Sequence, residues 1–123
     1  MKRILIIDDN DQLRSLLREI LELGNYVVTE APNGDIGARL FRQQPADLVI
    51  TDIFMPEKEG LETIRELRRD FPDVKIIAIS GGGSRGALGY LPTAKKLGAH
   101  RTFIKPFEMI ELLAAVHELL GEI

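Results

Sequence analysis

At 123 residues, 45% of them hydrophobic and 28% charged, the chain has the size and balance of one soluble domain with a core of its own, read here as residues 1–123. The net charge of −3 and the lack of cysteine exclude non-specific nucleic-acid binding by charge alone, a disulfide framework and thiol chemistry. The apolar run after the basic pair Lys2-Arg3 meets acids after four residues, too soon for a signal peptide or a membrane span, so a cytoplasmic location is expected.

Short β-branched runs alternate along the chain with amphipathic stretches. Arg3–Ile7 reads as a first strand, and a helix follows from Gln12 to Leu23, its leucines and isoleucine at helical spacing and Gly24-Asn25 as its stop. Tyr26–Ala31 is a second strand, and after Pro32-Asn33-Gly34 a second helix runs from about Asp35 to Arg42. Asp47–Thr51 is a third strand, and a third helix covers Leu61 to Asp70, with Leu61, Ile64 and Leu67 on one face. Met55-Pro56 and Gly60 read as the turn into that helix, with Met55 a packing residue. Lys75–Ser80 is a fourth strand; a glycine-rich loop then leads to a fourth helix around Ala87 to Leu97. Arg101–Ile104 and a helix from Glu108 to Leu120 complete the pattern. Five β-α units predict an α/β fold with right-handed crossovers, too few for an eight-stranded barrel. A doubly wound, flavodoxin-like parallel sheet of order 2-1-3-4-5 is expected.

In such a sheet, ligands bind at the carboxyl ends of the strands, where the strand order reverses. Asp8 and Asp9 end the first strand, Asp52 the third, Ser80 the fourth and Lys105 the fifth, so acids, a hydroxyl and an ammonium fall on one edge. Two carboxylates about 4 Å apart repel by roughly 4 kcal/mol at an effective dielectric near 20. One lysine does not balance three acids. A hard divalent cation does, and Mg²⁺ favours one or two carboxylates with waters and phosphate oxygens, which points to phosphoryl chemistry. Taken singly, such acids serve as turn residues or helix caps, and Asp8, Asp9 or Asn10 could each cap the first helix. Their meeting at one edge is the informative observation.

The acid pair in "IIDDN", the block "TDIFMPEKEG", the hydroxyl strand end "AIS" and the turn "KPF" make the chain resemble the receiver domains of two-component response regulators over essentially its whole length. The resemblance implies that Asp52 is the nucleophile that accepts a phosphoryl group from a phosphohistidine. It implies that Asp8, Asp9, Asp52 and the backbone carbonyl of Phe54 hold Mg²⁺, and that Ser80 and Lys105 bond the phosphoryl oxygens. It also implies a cis Lys105-Pro106 peptide and two kinds of protein partner. One is a sensor histidine kinase or histidine phosphotransfer protein; the other is a downstream partner or second copy bound on the fourth helix, fifth strand and last helix. No membrane or direct nucleic-acid contact is implied, and the catalysis is of its own phosphorylation and dephosphorylation only.

Two departures from the family stand out. Thr102 occupies the place of the usual switch aromatic, with Phe103 one place later on the opposite face of the strand. The stretch after Ser80 is richer in glycine than usual; it reads first as a flexible loop with no ligand of its own, with reordering of Gly81 to Gly83 on phosphorylation as the alternative. His100 and His117 lie away from the acidic edge and read as structural, and Tyr90 as loop packing. The first helix reads as mostly core, and because its apolar stripe is broad, Leu13 or Leu17 is a candidate for part of a docking surface for a kinase or phosphotransfer helix as well. Four other readings compete. A phosphatase of the aspartyl type wants a second acid two residues after the nucleophile, where Phe54 stands. A flavin or nucleotide module wants a phosphate-cradling loop where "DDNDQ" stands. A receiver-like scaffold that signals without phosphorylation, or a receiver cut from a longer regulator with an output domain, keeps the same residues.

Overall fold

The structure, a computed structural model, describes residues 1–53, 60–81 and 92–121. Phe54, Met55, Pro56, Gly82, Gly83, Tyr90 and the first part of the fourth helix lie outside these residues. The elements are β1 (Arg3–Ile7), α1 (Asp11–Leu23), β2 (Val27–Ala31), α2 (Gly34–Gln43), β3 (Leu48–Asp52), α3 (Gly60–Asp70) and β4 (Lys75–Ser80). They continue with α4, helical over 92–97, β5 (Arg101–Ile104) and α5 (Met109–Leu119). All pairings are parallel and the strand order is β2-β1-β3-β4-β5, as expected of the doubly wound arrangement.

Helix starts follow the local chemistry. Asn10 caps α1, its side chain accepting from the Leu13 N–H at 3.0 Å, and Asn33 caps α2 by accepting from Ile36 at 2.9 Å. The cap of α1 is therefore Asn10, which leaves Asp8 and Asp9 for other work. Asn25 takes the left-handed conformation, φ 69°, and turns the chain from α1 towards β2. Tyr26 falls outside β2, because its N–H bonds back to the Leu21 carbonyl at 3.2 Å.

Strand alternation divides the core into two layers. Ile4, Ile6, Leu48, Ile50, Ile77 and Ile79 pack with Leu17 and Leu21 of α1 and Leu112, Ala115 and Val116 of α5. Leu5, Ile7, Val49, Ile76 and Ala78 face Phe41 of α2, Ile64 and Leu67 of α3, and Ala94 of α4. Leu17 is thus a core residue, 1% exposed, and does not belong to a docking surface; at its turn of α1 the exposed leucine is Leu16, at 47%. The helical period moves the burial from one leucine to the next.

At the amino end of the sheet, His100 doubles as a ladder residue. Its N–H donates to the Ile76 carbonyl at 2.7 Å, while its Nδ1 accepts from the Ile76 N–H at 3.1 Å. Burial, followed by the charges of Arg68, Lys75 and Arg101, pushes the His100 pKa below the ordinary histidine value. An unfolded chain then binds more protons than the folded one as pH falls through about 6.5, so stability is full above that value and declines below it. His100→Asn supplies an acceptor that does not titrate. Urea midpoints from pH 5 to pH 7.5 are expected to rise less steeply with pH in this variant than in the parent; equal slopes would refute the assignment.

Candidate functional site

The carboxyl edge of β1, β3 and β4 gathers the acids. Asp8, Asp9 and Asp52 each offer a carboxylate oxygen within 4.8 Å of the others. Asp8 and Asp52 are buried, at 2% and 4% exposure, whereas Asp9 is exposed. Asp52 is itself the last residue of β3, in register with Ile79, one residue beyond the strand end expected from sequence. The apolar neighbours Val49 and Ile50 fix the strand that carries it, and both are essentially fully buried.

Asp8 is held from four sides. Its N–H donates to the Ala31 carbonyl at 3.1 Å, which extends the β1–β2 ladder by one residue. Its Oδ1 accepts from the Asn10 N–H at 2.8 Å, its Oδ2 from Lys105 Nζ at 3.1 Å, and its carbonyl from Arg14 Nη1 at 2.6 Å. The same Lys105 Nζ donates to Asp52 Oδ2 at 3.2 Å. Burial works against the lysine's charge, but Asp52 and then Asp8 outweigh it and hold the Lys105 pKa above the ordinary lysine value. The ammonium therefore stays charged across the physiological range and bridges two of the three acids.

Backbone contacts fix the neighbours. Lys105 N–H donates to the Ser80 carbonyl at 2.8 Å, and the Lys105-Pro106 peptide is cis. Ser80 is fully buried at the end of β4, and its hydroxyl donates to the Gly81 carbonyl at 3.4 Å. Thr51 Oγ1 donates to the Asp52 carbonyl at 3.0 Å, and Gly60 lies so close below that an added Cβ would stand 2.2 Å from the same oxygen. The structure thus brings Asp8, Asp9, Asp52 and Lys105 together and places Ser80 on the same edge. Sequence reasoning missed Arg14, Thr51 and the closeness of Gly60. Arg14 had a signal: a single acid, Glu30, in the otherwise uncharged β2 beside α1.

The donor set suits a hard divalent cation: three carboxylates around one point, two of them withdrawn from water and hydrogen-bonded, with one ammonium for partial balance. The phosphate-cradling alternative finds acids here instead, where two anions would meet.

Beyond the acids, the departures in β5 keep their expected sides. Thr102 pairs with Ala78 on the α3–α4 side, and Phe103 with Ile79 on the α1–α5 side, its ring 5.9 Å from Phe107. Ile104 at 46% and Ile110 at 75% exposure leave apolar area on β5 and α5. His117 is exposed on α5, 5.9 Å from the Tyr26 ring, and His100 lies at the opposite end of the sheet from the acids. No helix among the described residues is long and apolar enough to cross a membrane.

Comparison with known proteins agrees with this geometry. The family model described as response regulator receiver domain matches residues 4–117. The response regulator receiver protein CpdR of Brucella abortus is 32% identical over 98% of this chain and 98% of its own length. The response regulator protein TrrA of Thermotoga maritima, solved in complex with Mg²⁺–BeF, superposes with TM-score 0.85 at 36% identity, covering 97% of this chain and 99% of that one. The beryllofluoride-activated NtrC4 receiver domain dimer superposes with TM-score 0.88 at 26% identity, covering 98% of each chain.

Proposed function

The chain belongs to the response regulator receiver domain family of two-component systems, and on that premise we propose that it is a Mg²⁺-dependent phosphoacceptor switch whose acceptor is Asp52. The observation that carries the reading is the meeting of Asp8, Asp9 and Asp52 within 4.8 Å, with Lys105 Nζ at 3.1 and 3.2 Å from two of them.

Asp8, Asp9 and Asp52 would hold the metal, with the Phe54 carbonyl as a further ligand by family resemblance. When bound, Mg²⁺ offsets the negative charge of the incoming phosphoryl group and of the acids around it. The chain's own residues do the rest. One Asp52 oxygen attacks phosphorus in line, and the P–N bond of a phosphohistidine breaks as the new O–P bond forms. The electron pair of the P–N bond stays on the ring nitrogen, which leaves as neutral imidazole when its other nitrogen carries a proton. The product is an acyl phosphate, and Asp52 needs no general base because it is already a carboxylate at neutral pH. Lys105 and Ser80 would turn to the phosphoryl oxygens, giving charge-assisted bonds to the group once it is attached. Water later hydrolyses the acyl phosphate, so the chain catalyses its own modification and its loss and turns over no separate substrate.

The donor would be a sensor histidine kinase or a histidine phosphotransfer protein in the cytoplasm. The exposed Ile104 and Ile110 support a downstream protein or a second copy as the partner on the α4-β5-α5 face. Incubation with acetyl phosphate, followed by intact-mass and peptide mapping, tests the acceptor. One phosphoryl group on the Asp52 peptide, present with Mg²⁺ and absent with chelator, is expected; labelling elsewhere, or independent of metal, refutes the reading.

A further inference from the structure

We propose that Arg14 is a positioning residue that sets the geometry of the Asp8–Asp9 pair through the peptide bond between them, and so sets the affinity of the site for a divalent cation. The proposal rests on the reading of these acids as metal ligands. Arg14 sits on the first turn of α1 with its side chain 13% exposed, and its guanidinium has three different acceptors. Nη1 donates to the Asp8 carbonyl at 2.6 Å, Nε to Glu30 Oε1 at 3.2 Å and Nη2 to Asp11 Oδ1 at 2.5 Å.

The carbonyl of Asp8 and the N–H of Asp9 share one rigid plane. A donor that fixes this carbonyl therefore fixes the direction in which the chain leaves Asp8 and the place of the Asp9 Cα. Asp8 has three other anchors, from Ala31, Asn10 and Lys105. Asp9 is exposed, and its carboxylate makes no hydrogen bond or ion pair among the described residues. Its approach to Asp8 and Asp52 thus depends on the backbone that Arg14 holds. Glu30 of β2 and Asp11 of α1 in turn hold Arg14 and offset its charge, so it adds a fixed donor without adding a free cation beside the acids.

Arg18 separates positioning from mere stapling of α1 to β2. It bonds the same Glu30, at 2.9 Å to Oε2, and Glu22 at 3.1 Å, and it makes no hydrogen bond to Asp8. Removing either arginine takes one positive charge from the same network, but only Arg14 touches the acid pair.

The test is a titration of the full chain with MgCl₂, followed by amide resonances, for the parent, Arg14→Met, Arg14→Lys and Arg18→Met. Losing an outer-shell partner costs roughly 10- to 100-fold in metal affinity. Arg14→Met is expected to weaken Mg²⁺ binding at least tenfold and to move the Asp9 amide before any metal is added. Arg14→Lys, whose donors all sit on one nitrogen and so do not span the three acceptors that the guanidinium reaches from three nitrogens, is expected in between, and Arg18→Met close to the parent. Unchanged affinity in Arg14→Met, or equal weakening in Arg18→Met, would overturn the proposal. Should Arg14→Met fail to fold, Arg14→Gln is judged by the same criteria. A parent that shows no response to Mg²⁺ refutes the metal reading and the proposal with it, a pattern distinct from a responsive parent with an indifferent Arg14 variant.

Discussion

Asp52→Asn is expected to gain no phosphoryl group from acetyl phosphate in Mg²⁺, under conditions where the parent chain gains one, and to stay folded. A carboxamide lacks the anionic oxygen that attacks phosphorus, and among the described residues no second carboxylate is placed to take over. Asp8 is fixed by four hydrogen bonds, and Asp9 projects to solvent at the rim. The loss should therefore be complete rather than partial. Full labelling of the variant would remove Asp52 from the acceptor role.

The same substitution should move stability in two opposite ways. Among the described residues, and without metal, Asp52 has two like-charged neighbours within 4.8 Å and the opposite charge of Lys105 at 3.2 Å. Among these four groups repulsion exceeds attraction by about one pair, and since Asp9 is exposed and screened the relief they give on neutralising Asp52 is on the order of 1–3 kcal/mol. The metal-free variant is expected to have a higher urea midpoint than the metal-free parent. With Mg²⁺ the parent gains through binding, about 2.7 kcal/mol at 100 times the dissociation constant, and the variant, short of one ligand, gains less. An acid cluster kept at a cost to the folded state is what a ligand site requires. An acid that served only as a strand cap would give the reverse: lower stability on neutralisation and no difference in the response to Mg²⁺.

The acids and the lysine were legible in the sequence because strand ends in a doubly wound sheet are predictable from apolar runs, and the strand order then brings the ends together. The sheet order, the placement of Asp8, Asp9, Asp52 and Lys105, and the opposite sides of Thr102 and Phe103 all follow from period-two alternation plus topology. Other features required side-chain reach and backbone proximity, which no periodicity encodes. Arg14 reads as an ordinary polar residue on an exposed turn of α1 until its guanidinium is seen to span from Glu30 to the Asp8 carbonyl. Leu16 and Leu17 are adjacent apolar letters, and the rotation of α1 against the sheet, set by tertiary packing, decides which is buried. The capping of α1 was ambiguous among Asp8, Asp9 and Asn10 because all three side chains carry a suitable acceptor. Asn10 takes it because its extended backbone, φ −86° and ψ 106°, puts its oxygen under the Leu13 N–H.

Gly60→Ala is expected to be the most damaging added methyl at any of the glycines compared, Gly24, Gly37, Gly60, Gly81, Gly98 and Gly121. Gly60 opens α3 and is buried against the end of β3, its N–H donating to the Ile53 carbonyl at 3.2 Å. A Cβ there would stand 2.2 Å from the Asp52 carbonyl oxygen, 2.4 Å from the Ile53 Cα and 2.9 Å from the Asp52 carbonyl carbon. All three obstacles are backbone. That backbone is itself committed, since Ile53 N–H donates to the Ile79 carbonyl at 2.9 Å and Thr51 Oγ1 donates to the same Asp52 oxygen. Overpacking a core costs about 1–3 kcal/mol and more where the neighbours have no rotamer to change, so the upper end or beyond is expected, with a fall in melting temperature of roughly 10 °C or more. Gly24→Ala is the control. Its added Cβ would meet the Leu21 carbonyl at 3.4 Å and the Tyr26 ring at 3.5 Å, which are ordinary contacts, and its φ of −84° suits any residue. Calorimetry should find the Gly24 variant within about 1 kcal/mol of the parent. The Gly60 variant bears on function as well as on stability, because relief of the clash must shift the peptide that carries Asp52. Whatever fraction stays folded at low temperature should bind Mg²⁺ more weakly than the parent. Parental melting and parental Mg²⁺ affinity in Gly60→Ala together would mean that β3 ends elsewhere than against α3, and the placement of Asp52 would have to be redrawn.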